Sequence, residues 1–173
     1  KTPISINCSH KNKTLDFGFA NTSADLMYGL PNQSLEDWCK TLEMVSGLGL
    51  PHLSIYCLGL EKGTPMAQSV ELGKLPDPDP DLAAEMYEFT VKQLGDLKYR
   101  HYEISNWAKP GFESQHNINY WENQFFLGLG PGAHSYMPGI RFSNIKSPRE
   151  YIMRMENISN ALEVSRNMQD GTQ

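Results

Sequence analysis

Ala24-Asp25-Leu26-Met27-Tyr28-Gly29-Leu30-Pro31 is the stretch whose reading sets the fold class. It is short, apolar-rich and halted by Gly29 and Pro31, as a buried strand running into a turn would be. Ser34 then stands as an N-cap, and Asp37 three residues later completes a capping-box pattern. Leu35, Trp38, Leu42, Val45 and Leu48 recur at helical spacing, and Gly47 and Gly49 supply the stop. Leu53 to Leu58 is nearly all apolar, which predicts a strand covered on both faces. Strand, helix and strand in this order predict a βαβ unit with a right-handed crossover, and hence an α/β fold.

Outward from this unit, residues 59–78 are rich in Gly and Pro and read as a long loop. Asp79 caps the next helix and Pro80 takes its first position, where a missing N–H costs nothing. Leu82, Met86, Phe89 and Leu94 form its apolar face. Tyr99 to Trp107 alternates, with Tyr102 and Ile104 on one side and Glu103 and Ser105 on the other, which predicts a single half-exposed strand. Phe125 to Leu129 and Ile140 to Ile145 read as two more strands, and Met137-Pro138-Gly139-Ile140 suits a type II turn. Ser147-Pro148-Arg149-Glu150 opens a final helix whose face is Tyr151, Met155, Ile158 and Leu162. Residues 1–23 are polar and aperiodic and are expected to be a leader, and the tail from Arg166 a frayed end.

Composition bounds the function. The chain has 173 residues, 39% hydrophobic, 20% charged, with a formal charge of −5. A net acidic balance argues against a nucleic-acid surface. No apolar run has the length of a membrane span, and no secretory pattern opens the chain. Cys8, Cys39 and Cys57 are too widely spaced for a disulfide framework and read as reduced thiols, with Cys39 and Cys57 as buried small hydrophobes. Five N-x-Ser/Thr sequons begin at Asn7, Asn12, Asn21, Asn32 and Asn157, without a secretory signal to give them use.

Several residues could carry chemistry. Asp25 begins an apolar strand, where a charge needs polar partners. At a strand mouth it could accept hydrogen bonds from a ribose or an amino group; otherwise it is a rim or turn residue. Glu61-Lys62-Gly63-Thr64-Pro65 follows a strand end, where ligands bind in α/β sheets. His101 and Glu103 form an H-x-E pair, with a hydrogen-bonded strand face as the plainer reading. His116-Asn117-Ile118-Asn119-Tyr120-Trp121 mixes polar and aromatic side chains in an expected loop, fit either to stack a flat ligand or to brace itself. Gly128-Leu129-Gly130-Pro131-Gly132 lacks the Lys-Ser/Thr ending of a phosphate loop. His134 follows that turn and could reach a ligand.

Taken in order, Asp25–Pro31, Glu61–Pro65, Tyr102–Ala108, His116–Trp121 and Gly128–Ser135 resemble the second half of a radical S-adenosylmethionine (SAM) protein. The resemblance is to the oxygen-independent coproporphyrinogen III oxidase-like family, in particular its HemW-type heme chaperones. It implies a partial (β/α)6 TIM-like barrel followed by an α+β extension. Residues 24–98 would hold the last two barrel strands, residues 99–165 the extension, and residues 1–23 and 166–173 would lie outside the family pattern. It implies SAM and a [4Fe–4S] cluster as cofactors, and heme or a porphyrin as partner. Asp25, Gly59 and His134 would then lie at SAM, with His116 and His134 as candidate heme ligands. Oxidases of the family decarboxylate coproporphyrinogen III, whereas the chaperone branch carries heme, and the Glu61–Pro65 and Gly130–His134 words are closer to the latter. The family's C-x3-C-x2-C cluster motif does not occur in this sequence. The expectation is therefore a chain not catalytically competent alone, cytoplasmic in a bacterium or mitochondrial in a eukaryote, or else a non-enzymatic α/β interaction module.

Overall fold

The computed structural model describes residues 18–156 and 162–163. The chain divides into two compact units, Lys1–Ser114 and Gln115–Gln173. Most of the expected leader, the tail from Arg166 and Cys8 lie outside the described residues, although Ser23 already belongs to a strand.

The first unit begins with β1 (Ser23–Tyr28), α1 (Leu35–Gly47) and β2 (His52–Cys57). β1 and β2 pair in parallel, from Ser23 with His52 to Tyr28 with Cys57, which is the expected βαβ unit. Helix α1 starts where the capping box places it: the Ser34 hydroxyl accepts from Asp37 N, and the Asp37 carboxylate accepts from Ser34 N. Asn32 sits in the preceding turn at φ 61°, a left-handed position that Asn tolerates better than most residues. α2 (Pro65–Glu71) and α3 (Pro80–Asp96) follow, then β3 (Arg100–Glu103) and β4 (Asn106–Ala108). The strand order is β1-β2-β4-β3, with β4 antiparallel to both neighbours. Residues 100–108 thus supply two strands to the same sheet as β1 and β2.

One face of the sheet packs on α1 and α3. Tyr28, Leu53, Ile55 and Trp107 meet Trp38, Leu42, Val45, Met86 and Leu94 in one buried cluster. Burying such side chains contributes about 1.5–3 kcal/mol each relative to exposure. The indole N–H in this core is satisfied internally. Trp38 Nε1 donates to Met86 O (3.1 Å) and Thr90 Oγ1 (2.9 Å), tying α1 to α3.

Three expectations fail in this unit. The loop expected over 59–78 contains α2, because Thr64 caps it by accepting from Ala67 N and Pro65 fills its first position. The single strand expected over Tyr99–Trp107 is a hairpin. The Glu103 carboxylate accepts from Ser105 N and Asn106 Nδ2, which folds the chain at Ile104-Ser105 and leaves Ile104 63% exposed. Cys57 is exposed and Cys39 half-buried, so neither is a core residue: Cys57 ends its strand and Cys39 lies beside the apolar stripe of α1.

The second unit contains α4 (Gln115–Trp121), β5 (His134–Met137), β6 (Ile140–Asn144), α5 (Pro148–Glu156) and β7 (Leu162–Glu163). β5 and β6 form an antiparallel hairpin closed at Pro138-Gly139, with Gly139 at φ 73° as a type II turn requires. His116–Trp121, expected as loop, is the helix α4. Its polar composition hid a helical turn that closes with Glu122 N donating to Ile118 O. Phe125–Leu129 makes only an isolated bridge, Phe126 with Tyr136, rather than a strand. Leu162 belongs to β7, paired with Asn144, and so leaves the helical face predicted for it; Ile158 lies outside the described residues.

Candidate functional site

The sheet face opposite α1 and α3 is polar. It carries Ser23, Asp25 and Met27 from β1, His52, Ser54 and Tyr56 from β2, and Asn106 from β4, because laterally paired residues share a face. His52, Leu53, Ser54 and Ile55 are all buried, so the first half of β2 is covered on both faces as expected, although one of those faces is polar and Tyr56 and Cys57 are exposed.

His52 is the buried centre of a hydrogen-bonded chain. Its Nδ1 lies 2.8 Å from Ser23 Oγ and its Nε2 2.8 Å from Tyr102 OH, which in turn accepts from Ser114 N at 3.3 Å. Hydroxyls both donate and accept, so Ser23 and Tyr102 satisfy either tautomer of the neutral ring. Burial pushes the His52 pKa below its ordinary value, against a smaller upward pull from the carboxylates of Asp25 and Glu103. Nothing in the sequence pattern singled out His52, and Tyr102 and Asn106 stood in the Tyr102–Ala108 stretch without a role of their own. The usable signal was the polar pair His52 and Ser54, spaced by two in a strand otherwise apolar.

Asp25 is exposed and lies on this polar face. It is the third residue of β1 rather than its C-terminal rim, because pairing already starts at Ser23 with His52. Gly59 follows the end of β2 and is exposed; a Cβ built there meets no atom within 4 Å, so the protein itself does not require a small residue at that position. His101 and Glu103 are both otherwise engaged. His101 stacks on Trp107 at 4.3 Å with its Nε2 against Ile104 O, while Glu103 holds the hairpin turn.

In the second unit the Gly128–Gly132 turn is a braced structural turn. Gly128 N donates to Ser135 Oγ and Gly130 N to Tyr151 OH, while Asn144 Nδ2 donates to the carbonyls of Gly128 and Gly130. His134 is exposed at the start of β5. His116 is exposed on α4, edge-on to Tyr120 at 4.8 Å; Tyr120 meets Phe126 at 4.6 Å, and Trp121 is 56% exposed. The expected polar–aromatic cluster is thus present, built on a helix.

No family model matches the chain. Curated relatives do. It is 39% identical to heme chaperone HemW of Mycobacterium tuberculosis over 134 residues, 78% of this chain and 34% of the relative. It is 42% identical to heme chaperone HemW of Lactococcus lactis over 135 residues, 78% of this chain and 36% of the relative. The chain is a homologue of the HemW-type proteins. It is also 49% identical to the mitochondrial radical S-adenosyl methionine domain-containing protein 1 of mouse over 112 residues, 65% of this chain and 25% of that protein. The chain spans about a third of the length of the HemW relatives it matches. In fold it is similar to coproporphyrinogen III oxidase (HemN) from Escherichia coli, a radical SAM enzyme, with a TM-score of 0.68 over 94% of this chain and 40% of that one, at 22% identity.

Proposed function

We propose that this chain is part of a radical SAM protein of heme metabolism, coproporphyrinogen III oxidase-like or a heme chaperone, with the chaperone reading preferred. The observation that carries it is 39–42% identity to heme chaperones over 78% of the chain. Heme is then the cargo, and a cytoplasmic or mitochondrial location follows by analogy with these relatives. Among the described residues no helix is long and apolar enough to cross a membrane.

The first unit is read as the last strands of a partial (β/α)6 barrel, with an α+β extension after it. SAM fits the polar face. Asp25 offers an exposed carboxylate, and the buried Asn106 Oδ1 has no hydrogen-bond partner among the described residues. Asp25 would take hydrogen bonds from the cofactor, Gly59 would let it lie against the loop after β2, and His134 is a further candidate contact. When bound, SAM supplies the radical chemistry of the family. The [4Fe–4S] cluster does not fit this chain: its cysteines stand at 8, 39 and 57, and no group of three ligand residues converges among the described residues. Catalysis is therefore assigned to the parent protein, and the residues of this chain are given binding roles alone.

Heme is proposed to bind the second unit, with His116 as axial ligand, because its exposed imidazole stands beside Tyr120 and an exposed Trp121. Hemin titration followed by the Soret band tests this. His116→Ala should abolish a saturable shift that His134→Ala leaves intact. An unchanged titration in both variants would remove the heme-ligand reading.

A further inference from the structure

The chain Ser23–His52–Tyr102–Ser114 joins places far apart in the first unit. Tyr102 of β3 reaches past β4 to His52 on β2, and its hydroxyl also holds the backbone of Ser114, where the unit ends. The backbone donor decides how the protons lie. Ser114 N–H can only donate, so the Tyr102 oxygen accepts from it at 3.3 Å. The phenol proton is left to point at His52 Nε2, 2.8 Å away, which accepts it. Nδ1 then carries the ring proton and donates to Ser23 Oγ at 2.8 Å. The chain thus runs in one direction, from Ser114 N to Ser23, and only while His52 is neutral.

A proton on Nε2 sets two donors face to face. The Tyr102 hydroxyl must turn its own proton away and accept from the imidazolium. A bond from a charged donor is about twice as strong as a neutral one, and the Ser114 bond is the longer of the two. The imidazolium therefore takes the oxygen. Its charge faces Asp25 from β1 and Glu103 from β3, which both favour it. β4 (Asn106–Ala108) brings no titratable group, and its own strand brings Tyr56 to that face. The other ties of residues 109–114 do not change with His52. Lys109 N donates to Pro51 O, Lys109 Nζ lies over the Tyr99 ring, and Glu113 accepts from Gly111 N and pairs with Arg100. Backbone N–H bonds hold the Glu113 carboxyl below its usual range, so it stays ionised where His52 titrates.

We propose that His52 is a proton-operated latch: neutral, it orients the Tyr102 hydroxyl to hold Ser114 N; charged, it takes the Tyr102 oxygen and releases Ser114, the residue immediately before α4. The inference rests on neither the SAM nor the heme reading. Burial lowers the His52 pKa, so the latch is closed at neutral pH and opens as pH falls below 6.5.

The test is an NMR titration of the 15N-labelled chain from about pH 7.5 to about pH 5, following the His52 ring nitrogens and the Ser114 amide. At neutral pH the ring should be the Nδ1–H tautomer. On acidification the protection of the Ser114 amide against exchange should fall roughly fivefold, the worth of one neutral hydrogen bond. Its midpoint should be that of the His52 ring. In Tyr102→Phe the Ser114 amide should show the acid-form protection already at neutral pH. An Nε2–H tautomer overturns the latch, as does a Ser114 amide that stays still while His52 titrates. So does one that still follows His52 in Tyr102→Phe. The wild-type tautomer and midpoints decide the matter even if Tyr102→Phe fails to fold.

Discussion

Replacing Tyr102 by Phe removes one hydroxyl from the chain Ser23–His52–Tyr102–Ser114. That hydroxyl lies 2.8 Å from His52 Nε2 and 3.3 Å from Ser114 N. His52 is 8% exposed, so its ring nitrogen would lose its partner in a nearly dry place. Leaving a buried polar group unpaired costs about 1–3 kcal/mol. Tyr102 is itself half-buried and water can reach the vacated position, which places the expected loss at the lower end, about 1 kcal/mol. The assay is urea unfolding followed by the fluorescence of Trp38 and Trp107, both buried in the first unit, across a series of pH values. The folded His52 pKa lies below the ordinary 6.5. The neutral ring therefore contributes fully above pH 6.5, and its contribution is lost as pH falls below that value through the folded pKa, because the unfolded chain takes the proton first. Admitting water relieves the burial that lowers the pKa, so Tyr102→Phe should also flatten this acid slope. A variant with wild-type stability at neutral pH and an unchanged acid slope would refute the idea that Tyr102 holds His52.

Thr90→Val removes the group that accepts from Trp38 Nε1 at 2.9 Å and donates to Met86 O at 2.7 Å; about 1–2 kcal/mol should be lost in denaturant melts, since Trp38 keeps Met86 O. Gly128→Ala places a Cβ against the backbone carbonyl of His134, which cannot swing aside, and should destabilise the second unit by about 1–3 kcal/mol, read as lost amide protection in β5. Tyr28 should ionise late: burial first, then the neighbouring Cys57, push its pKa up to about 12 from 10.0. Its folded pKa is raised, so its contribution is present below pH 10.0 and is lost as pH rises through about 12; tyrosinate absorbance of wild type and Tyr28→Phe checks this.

The βαβ core was legible because each of its parts announces itself locally. The Ser34–Asp37 capping box, the Trp38–Leu42–Val45 stripe and the Gly and Pro stops act within a few residues, and all appear as read. Errors came where a side chain redirects the backbone. The alternation through Tyr102–Ile104 looked like one strand, and only the reach of Glu103 back to Asn106 turns it into a hairpin. Helix α4 was hidden because none of its residues is buried, so no apolar stripe marks it. The site divides in the same way. Asp25 stood out as a charge in an apolar strand, but its height on the strand depended on pairing with β2. Asn106 and His52 gained meaning only when the sheet order set them beside Ser54 and Tyr102, neighbours 50 or more positions away in the chain.

The sheet order has a consequence for how this unit can combine with other polypeptide. Its two outer strands are unequal: β1 offers six residues in unbroken register, whereas β3 offers four, with a register shift between His101 and Glu103. A strand supplied from elsewhere in a longer chain or from a second molecule thus has one regular berth and one irregular one. Extension of the sheet is one-sided, and a fusion or cut near Ser23 would alter what the unit can join, whereas the same operation beyond Ala108 would leave that capacity in place.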